Sequence, residues 1–271
     1  MPAPSENITI VVRGGGDIAT GVVQKFHRAG FNVLILEIES PAAIRRGVAL
    51  SEAVYDGTAK VEDMICRKIV VLNEAEECWK KREVPIIIDS EGSSISEIKP
   101  AAVIDAIMAK RNLGTNRSMA SITIALGPGF NAGIDVDVVI ETKRGFDLGR
   151  LIFNGYAKPD TGVPAEVEGE SVRRVLFAPA SGDVVHNKQI GDIVEQGDTI
   201  FTIGDTESDA PFKGLLRGLI RENLVVSKGT KVADIDPRLD VDWRMISDKA
   251  RCLGGTALEA YLTQKGGTVK E

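Results

Sequence analysis

Cysteine and histidine are scarce in this 271-residue chain, and each shortage excludes something. The three cysteines, Cys66, Cys78 and Cys252, lie far apart with no C-x-x-C pair. That argues against a disulfide framework or a cysteine zinc site and suits a reducing cytoplasm. Two histidines, His27 and His186, cannot build a histidine-rich metal site, so no metal centre is expected. Apolar runs of membrane-spanning length are missing, as is a basic-then-apolar leader in MPAPSEN. A cytoplasmic protein without a membrane partner is expected. Basic residues are outnumbered by acidic ones, 33 to 39, which argues against a nucleic-acid partner. What remains is an ordinary apolar fraction of 43% in a chain long enough for two domains.

Residues 7–39 organise the rest. A β-branched apolar run at 8–12 leads straight into Gly14, Gly15 and Gly16. Ile18, Val22 and Phe26 then recur at helical spacing, Gly30 stops the helix, and a second buried run at 33–36 ends at Glu37. Glycines permit a sharp turn and close approach of a ligand, and a helix N-terminus favours an anion. Gly14-x-Gly16-x-x-Ala19 fits the G-x-G-x-x-G/A dinucleotide pattern, with Glu37 placed where a ribose-binding acid is expected. Asp17 can cap the helix yet sets negative charge beside a phosphate, which Arg13 could offset. The competing reading is a glycine turn that only packs helix on sheet.

Further along, Ser40-Pro41 predicts a helix to about Val54, exposing Arg45 and Arg46 where a 2′-phosphate or another anion could meet them. Strands are expected at 69–72, 85–88 (ending at Asp89), 121–126 and 135–141, and a surface helix at 73–82. A polar loop is expected at 91–99. Pro100 is read as opening a helix with Val103, Ile104, Ile107 and Met108 on one face, ending at Lys110, Arg111 and Asn112. Gly127-Pro128-Gly129 follows one strand, and Glu141-Thr142-Lys143 follows the next. Alternating strands and helices predict a Rossmann-like, doubly wound, mostly parallel sheet. Its ligand crevice would lie beyond the carboxyl ends of the strands.

Residues 156–171 read as a linker between this domain, 1–155, and a β module at 172–240. The module repeats itself at a spacing of 32. Ala178-Pro179 matches Ala210-Pro211, Gly182 matches Gly214, Gly197 matches Gly229, and Ile203 matches Ile235. Two short copies suit a pseudo-twofold β sandwich rather than a solenoid. The module resembles the biotinyl/lipoyl carrier fold, a small all-β barrel-sandwich hybrid. Its residues 204–209 hold no lysine where that family modifies one, and Lys213 is misplaced. No covalent biotin or lipoate is expected, and the module reads as a docking element. Residues 241–271 give a last helix with Ile246, Ala250, Leu253, Ala257, Leu258 and Tyr261 as its apolar stripe, able to pack on either domain or across a homo-oligomer.

Five stretches together, VVRGGGDIATG, RRGVALSEAVYDG, DAIMAKRNLGTNR, ALGPGFNAGIDVDVVIETKRG and DIDPR, resemble the accessory proteins of selenium-dependent molybdenum hydroxylase systems. The resemblance runs nearly the full length. It implies association with such a hydroxylase as client and adds weight to Lys110, Arg111, Asn112, Gly127, Gly129, Glu141, Thr142 and Lys143. The favoured expectation is a maturation protein holding an anionic, nucleotide-like or molybdopterin-type cofactor. Arg13, Gly14, Gly15, Gly16, Asp17, Ile18, Ala19, Glu37, Arg45, Arg46 and Asp89 complete its expected site. The alternatives are an NAD(P)-dependent oxidoreductase, which lacks a convincing proton donor, and sulfur or selenium transfer through Cys66 or Cys78. No catalytic residue follows from the sequence.

Overall fold

The computed structural model describes residues 8–164 and 166–267. The chain forms two compact units. The first comprises residues up to Pro41, Ala49–Asp160 and the segment from Ile246 onward; the second comprises Ala42–Val48 and Thr161–Met245.

The first unit is built on a nine-stranded mixed sheet. Its strands are β1 (Thr9–Arg13), β2 (Asn32–Glu37), β3 (Thr58–Val61), β4 (Met64–Lys68), β5 (Val84–Ile88), β6 (Ala102–Asp105) and β7 (Thr123–Leu126). A short β8 (Asn131–Ala132) stands outside the sheet, followed by β9 (Val138–Ile140), β10 (Leu151–Ile152) and β11 (Gly155–Tyr156), which pairs with β8. The sheet order is β10-β9-β7-β6-β1-β2-β5-β4-β3. The core is parallel, but the β3–β4 and β9–β10 pairs at the edges are antiparallel. The central strands are buried except for residues at the ends of β1 and β2, as parallel strands covered on both faces are.

Helices are few. They are α1 (Asp17–Arg28), α2 (Ala53–Asp56), α3 (Ala75–Lys80), α4 (Ser94–Ile98) and α5 (Asp248–Gly266). The helix α5 lies along α1, pairing Asp17 electrostatically with Lys249, Gly21 sterically with Ala250 and Gly254, and Phe26 with Tyr261. These pairs advance together along both helices, so α1 and α5 run in the same sense and their N-termini share one end. On the opposite face, α3 and α4 cover Val11, Leu34, Leu36, Ile87 and Val103.

The expected fold class needs correction. The connections from β6 to β7 and from β7 to β9 carry no α-helix, and the sheet is mixed. The unit is therefore not a Rossmann-like doubly wound sheet of alternating strands and helices. The helix expected from Pro100 is β6: Val103 and Ile104 are wholly buried between β1 and β7, where a strand satisfies its backbone on both sides. The helix expected from Pro41 to Val54 is a succession of short 3₁₀ turns before α2. The strand expected at 69–72 is displaced to β4, which pairs with β3 about a turn containing Glu62 and Asp63. The loop at 91–99 contains α4, whose first N–H groups bond Asp89.

The second unit is two four-stranded antiparallel sheets in place of the expected barrel-sandwich hybrid. Its strands are β12 (Val175–Phe177), β13 (Gly182–His186), β14 (Ile193–Val194), β15 (Thr199–Ile203), β16 (Thr206–Asp209), β17 (Gly214–Leu219), β18 (Val225–Val226) and β19 (Lys231–Asp236). The sequence repeat is visible in the pairing. Gly182 faces Val226 in β13–β18, and Val194 faces Gly214 in β14–β17, each copy crossing to the other. Val184, Ile200, Ile203, Leu216, Val232 and Ile235 form its core.

Candidate functional site

The strand order reverses between β1 and β6: β2 and β5 continue to one side, β7 and β9 to the other. Loops leaving neighbouring strands at such a point diverge and leave a crevice at the carboxyl ends. The loops after β1, β6, β7 and β9 all emerge there.

The glycine turn after β1 is held tightly by the protein itself. Gly14 has φ +96°, donates its N–H to Leu36 O at 2.8 Å, and leaves only 3.1 Å between a would-be Cβ and Ala106 O. Gly15 donates to Glu37 Oε2 at 2.7 Å, and its would-be Cβ lies 3.0 Å from Ser51 N. Ile38 N–H takes the other oxygen of Glu37 at 2.8 Å. Glu37 thus closes the turn that the sequence assigned to a phosphate. Burial, against these two donated bonds, raises its pKa. Gly16 differs: nothing lies within 4 Å of a Cβ built there, and no side chain caps the helix at this position. Asp17 Oδ1 accepts from Ile18 N–H at 2.9 Å, and Ala19 is wholly buried in the first turn of α1. Beside Gly15, the wholly buried Ser51 keeps a hydroxyl with no hydrogen-bond partner among the described residues.

Arg13 does not face the crevice as an offsetting cation. It is 2% exposed and donates to Thr115 Oγ1 at 2.5 Å and to Ser90 O at 2.8 Å. The Thr115 hydroxyl donates in turn to Asp105 Oδ2 at 2.6 Å, so Arg13, Thr115 and Asp105 form one buried link across β1 and β6. Burial raises the Asp105 pKa, against the Thr115 and Ile107 bonds and the nearby guanidinium. Asp89 binds the N-terminus of α4; burial pushes its carboxyl up, but bonds from Ser94, Ser93 and Gly92 together hold it below the ordinary value.

Arg45 and Arg46 fold with the second unit. Arg46 Nε donates to Leu219 O at 2.8 Å, and Ile44 O accepts from Leu219 N–H at 2.9 Å, so residues 42–48 extend along β17.

The remaining predicted residues come together. Gly127 has φ +83° and abuts Thr142, whose Oγ1 would be 2.8 Å from a Cβ. Gly129 has φ +108° and leaves 2.6 Å to Arg111 Cα. Lys110 pairs with Asp160 at 2.5 Å, and Asn112 ties its loop through Thr115 O and Gly114 N–H. Glu141, 2% exposed, accepts from Lys143 N–H at 2.7 Å and from Lys158 N–H at 2.8 Å. Arg111 and Lys143 are exposed and in no ion pair among the described residues.

Sequence reasoning missed Lys249. It stands in the first turn of α5, half-buried, with Arg144, Asp17, Asp160 and Glu141 around it. Desolvation, then Arg144, lowers its pKa against the pull of the three carboxylates. Only the parallel docking of α5 on α1 brings it to the ends of β1 and β9, 232 positions away from Asp17 along the chain. An N-terminal lysine on a helix that the sequence left free to pack anywhere gave no signal.

One alternative loses its premise. Cys66 and Cys78 are buried, at 0% and 4% exposure, and desolvation raises both thiol pKa values instead of their charged neighbours lowering them. A cavity of about 240 Å³ beside Cys78 is lined by Arg67, Lys68, Glu74 and Lys81, away from the glycine turn. Among the described residues no group of three or more metal-ligating side chains is assembled, and no helix is long and apolar enough to cross a membrane.

No protein-family model matches the chain. It is 46% identical over 260 residues to "Uncharacterized protein YqeB" of Escherichia coli (strain K12). The match takes in 96% of this chain and 48% of that protein, so the chain spans about half the length of the curated relative it matches. Among solved structures it is similar to TcdA (CsdL), at 14% identity over 97% of this chain and 88% of that one, with a TM-score of 0.35. It is also similar to the product-bound ectoine utilization protein EutE (DoeB) from Ruegeria pomeroyi, at 10% identity, 78% and 61% coverage, and a TM-score of 0.24. An aspartoacylase family protein of Mesorhizobium loti MAFF303099 aligns at 10% identity over 84% of each chain, with a TM-score of 0.25. Likenesses this distant carry no argument about this chain.

Proposed function

We propose that the first unit binds an anionic, nucleotide-like or molybdopterin-type cofactor at the carboxyl ends of β1, β7 and β9. It would do so as an accessory protein serving a selenium-dependent molybdenum hydroxylase. One observation carries the binding: the loops after β7 and β9 hold Arg111 against Gly129 and Lys143 on Glu141, and neither cation has an ion-pair partner among the described residues. The hydroxylase assignment rests on the five sequence stretches alone.

The residues fit an anionic group on the Gly16 side of the turn and not on the Gly15 side. Gly16 is open, whereas the Gly15 N–H is taken by Glu37 and its other side by Ser51. Cations on side chains, more than a backbone cradle, would hold the anion. The cofactor itself would supply whatever redox chemistry the client performs; this chain's part is to bind and orient it.

Isothermal titration of the full chain with molybdopterin dinucleotide, NADPH and inorganic pyrophosphate tests the reading. Arg111→Ala with Lys143→Ala should weaken binding at least tenfold while the melting temperature holds. Tight binding unaffected by this double substitution would move the site elsewhere. Preference for NADPH would favour the oxidoreductase instead. Pull-down of a molybdenum hydroxylase tests the client, and the intact mass after expression with active ligases tests the absence of biotin and lipoate.

A further inference from the structure

We propose that Phe146, with Tyr156 nearby, stacks on a planar heteroaromatic ring, so that the ligand is a ring-bearing anion; the anionic part of this proposal rests on the binding site described above.

The loop from β9 to β10 holds Phe146 in a fixed place. At its base Glu141 O accepts from Gly149 N–H at 2.9 Å, and Arg150 O accepts from Glu141 N–H at 3.0 Å. Its tip is a turn in which Gly145 O accepts from Leu148 N–H at 3.2 Å. Both flanks rest on α5. Arg144 donates from both terminal nitrogens to Asp248, at 2.7 and 2.8 Å, and a Cβ at Gly149 would lie 2.7 Å from Thr256 Oγ1. On this fastened loop Phe146 is fully exposed, with no ring or cation partner among the described residues. A ring held out on an ordered turn has little conformational freedom left to lose on contact.

Contacts of the neighbouring segments set this ring beside cations. Glu141 accepts from Lys143 N–H at 2.7 Å and from Lys158 N–H at 2.8 Å. The Lys158 ammonium pairs with Asp147, the residue after Phe146. Lys110 pairs with Asp160 at 2.5 Å, which brings the Arg111 loop to the same segment as Lys158. From Lys143 to Phe146 the chain spans at most about 11 Å. Tyr156, two residues before Lys158, is 67% exposed, and Asn131 Nδ2 donates to its hydroxyl at 3.1 Å, steadying a ring that stays largely in solvent. Aromatic faces stack on any planar base, and nearby cations take the phosphate or carboxylate attached to it. The core of a protein interface is depleted of charge, whereas Lys143, Arg144, Asp147 and Lys158 surround Phe146. A small ring-bearing anion suits this surface better than a protein partner.

The test titrates the full chain by calorimetry with GDP and pterin-6-carboxylate, which carry a ring, and with pyrophosphate, which does not. Phe146→Ala should weaken the better-bound ring-bearing probe about tenfold. It should leave pyrophosphate binding and the melting temperature unchanged, because the side chain packs on nothing. Phe146→Tyr should restore the affinity. Phe146→Trp puts an indole in the same place; its emission, above the background of Trp79 and Trp243, should be quenched by GDP and not by pyrophosphate. Ring-bearing probes bound no more tightly than pyrophosphate, or bound equally by Phe146→Ala, overturn the stacking and leave the anion site standing. Quenching by GDP that survives Arg111→Ala with Lys143→Ala keeps the stacking and removes the anion site. Unchanged ligand affinity in Phe146→Ala, with lost capture of a molybdenum hydroxylase, overturns the proposal in favour of a protein contact. If the unmodified chain binds no probe, both readings fall.

Discussion

Replacing Gly254 by alanine probes the contact that sets α5 against α1. A Cβ at 254 would lie 2.6 Å from the carbonyl carbon of Gly21, closer still to its oxygen, and 3.0 Å from Lys25 Cγ. A Cβ at Gly21 would in turn lie 2.6 Å from the carbonyl carbon of Ala250. The main obstacle on each side is helix backbone, which cannot swing away as a side-chain tip can. The helices α1 and α5 must separate by about 1 Å, and such overpacking costs about 1–3 kcal/mol. Alanine regains about 0.8–1 kcal/mol over glycine from helix propensity. The net expectation is a loss of about 1–2 kcal/mol. Gly255 supplies the control in the next position of the same helix, since a Cβ there meets nothing within 4 Å. Gly255→Ala should be neutral or stabilising by up to about 1 kcal/mol. Urea denaturation read by circular dichroism, with amide exchange along α5, measures both. If Gly254→Ala proves as stable as Gly255→Ala, the close parallel crossing is wrong, and with it the placement of Lys249.

In the second unit, Asp236 is wholly buried and accepts from Arg217 at 2.6 Å and from Arg238 at 2.9 and 2.8 Å. Asp236→Asn should destabilise by about 1–3 kcal/mol in chemical denaturation, because it removes the buried negative charge that two part-exposed guanidinium groups share. Glu37, whose folded-state pKa is raised by burial, destabilises the fold once ionised. Stability should therefore fall as pH rises from about 4.3 through the raised value, and Glu37→Gln should flatten that slope in thermal melts. Thiol titration of the native protein should modify Cys252, which is exposed, at once, and Cys66 and Cys78 only on unfolding; fast reaction of Cys66 would contradict its burial.

Local sequence determined the elements whose signal is a uniform apolar run or a fixed turn. β1, α1 and β2 were legible because strand, glycines and helical period follow one another within about thirty residues. The 32-residue repeat was legible because identical spacing produces identical strands, and Gly182 and Gly214 occupy matching ladder positions. What the sequence could not determine was which partner each segment would meet. Val103 and Ile104 fit a helix face as well as a strand, and only β1 and β7 on either side made them β6. Arg13 reads in sequence as a cation beside a phosphate, but pairing β1 with β6 places Thr115 and Asp105 within its reach. Arg45 and Arg46 followed the second strand in sequence yet bonded to β17 through Leu219. Lys249 came near Asp17 because two glycines let α5 lie against α1. Periodicity records how much of a residue is buried; the identity of what buries it depends on contacts between segments far apart in the chain, and those exist only once the sheet has closed around its order.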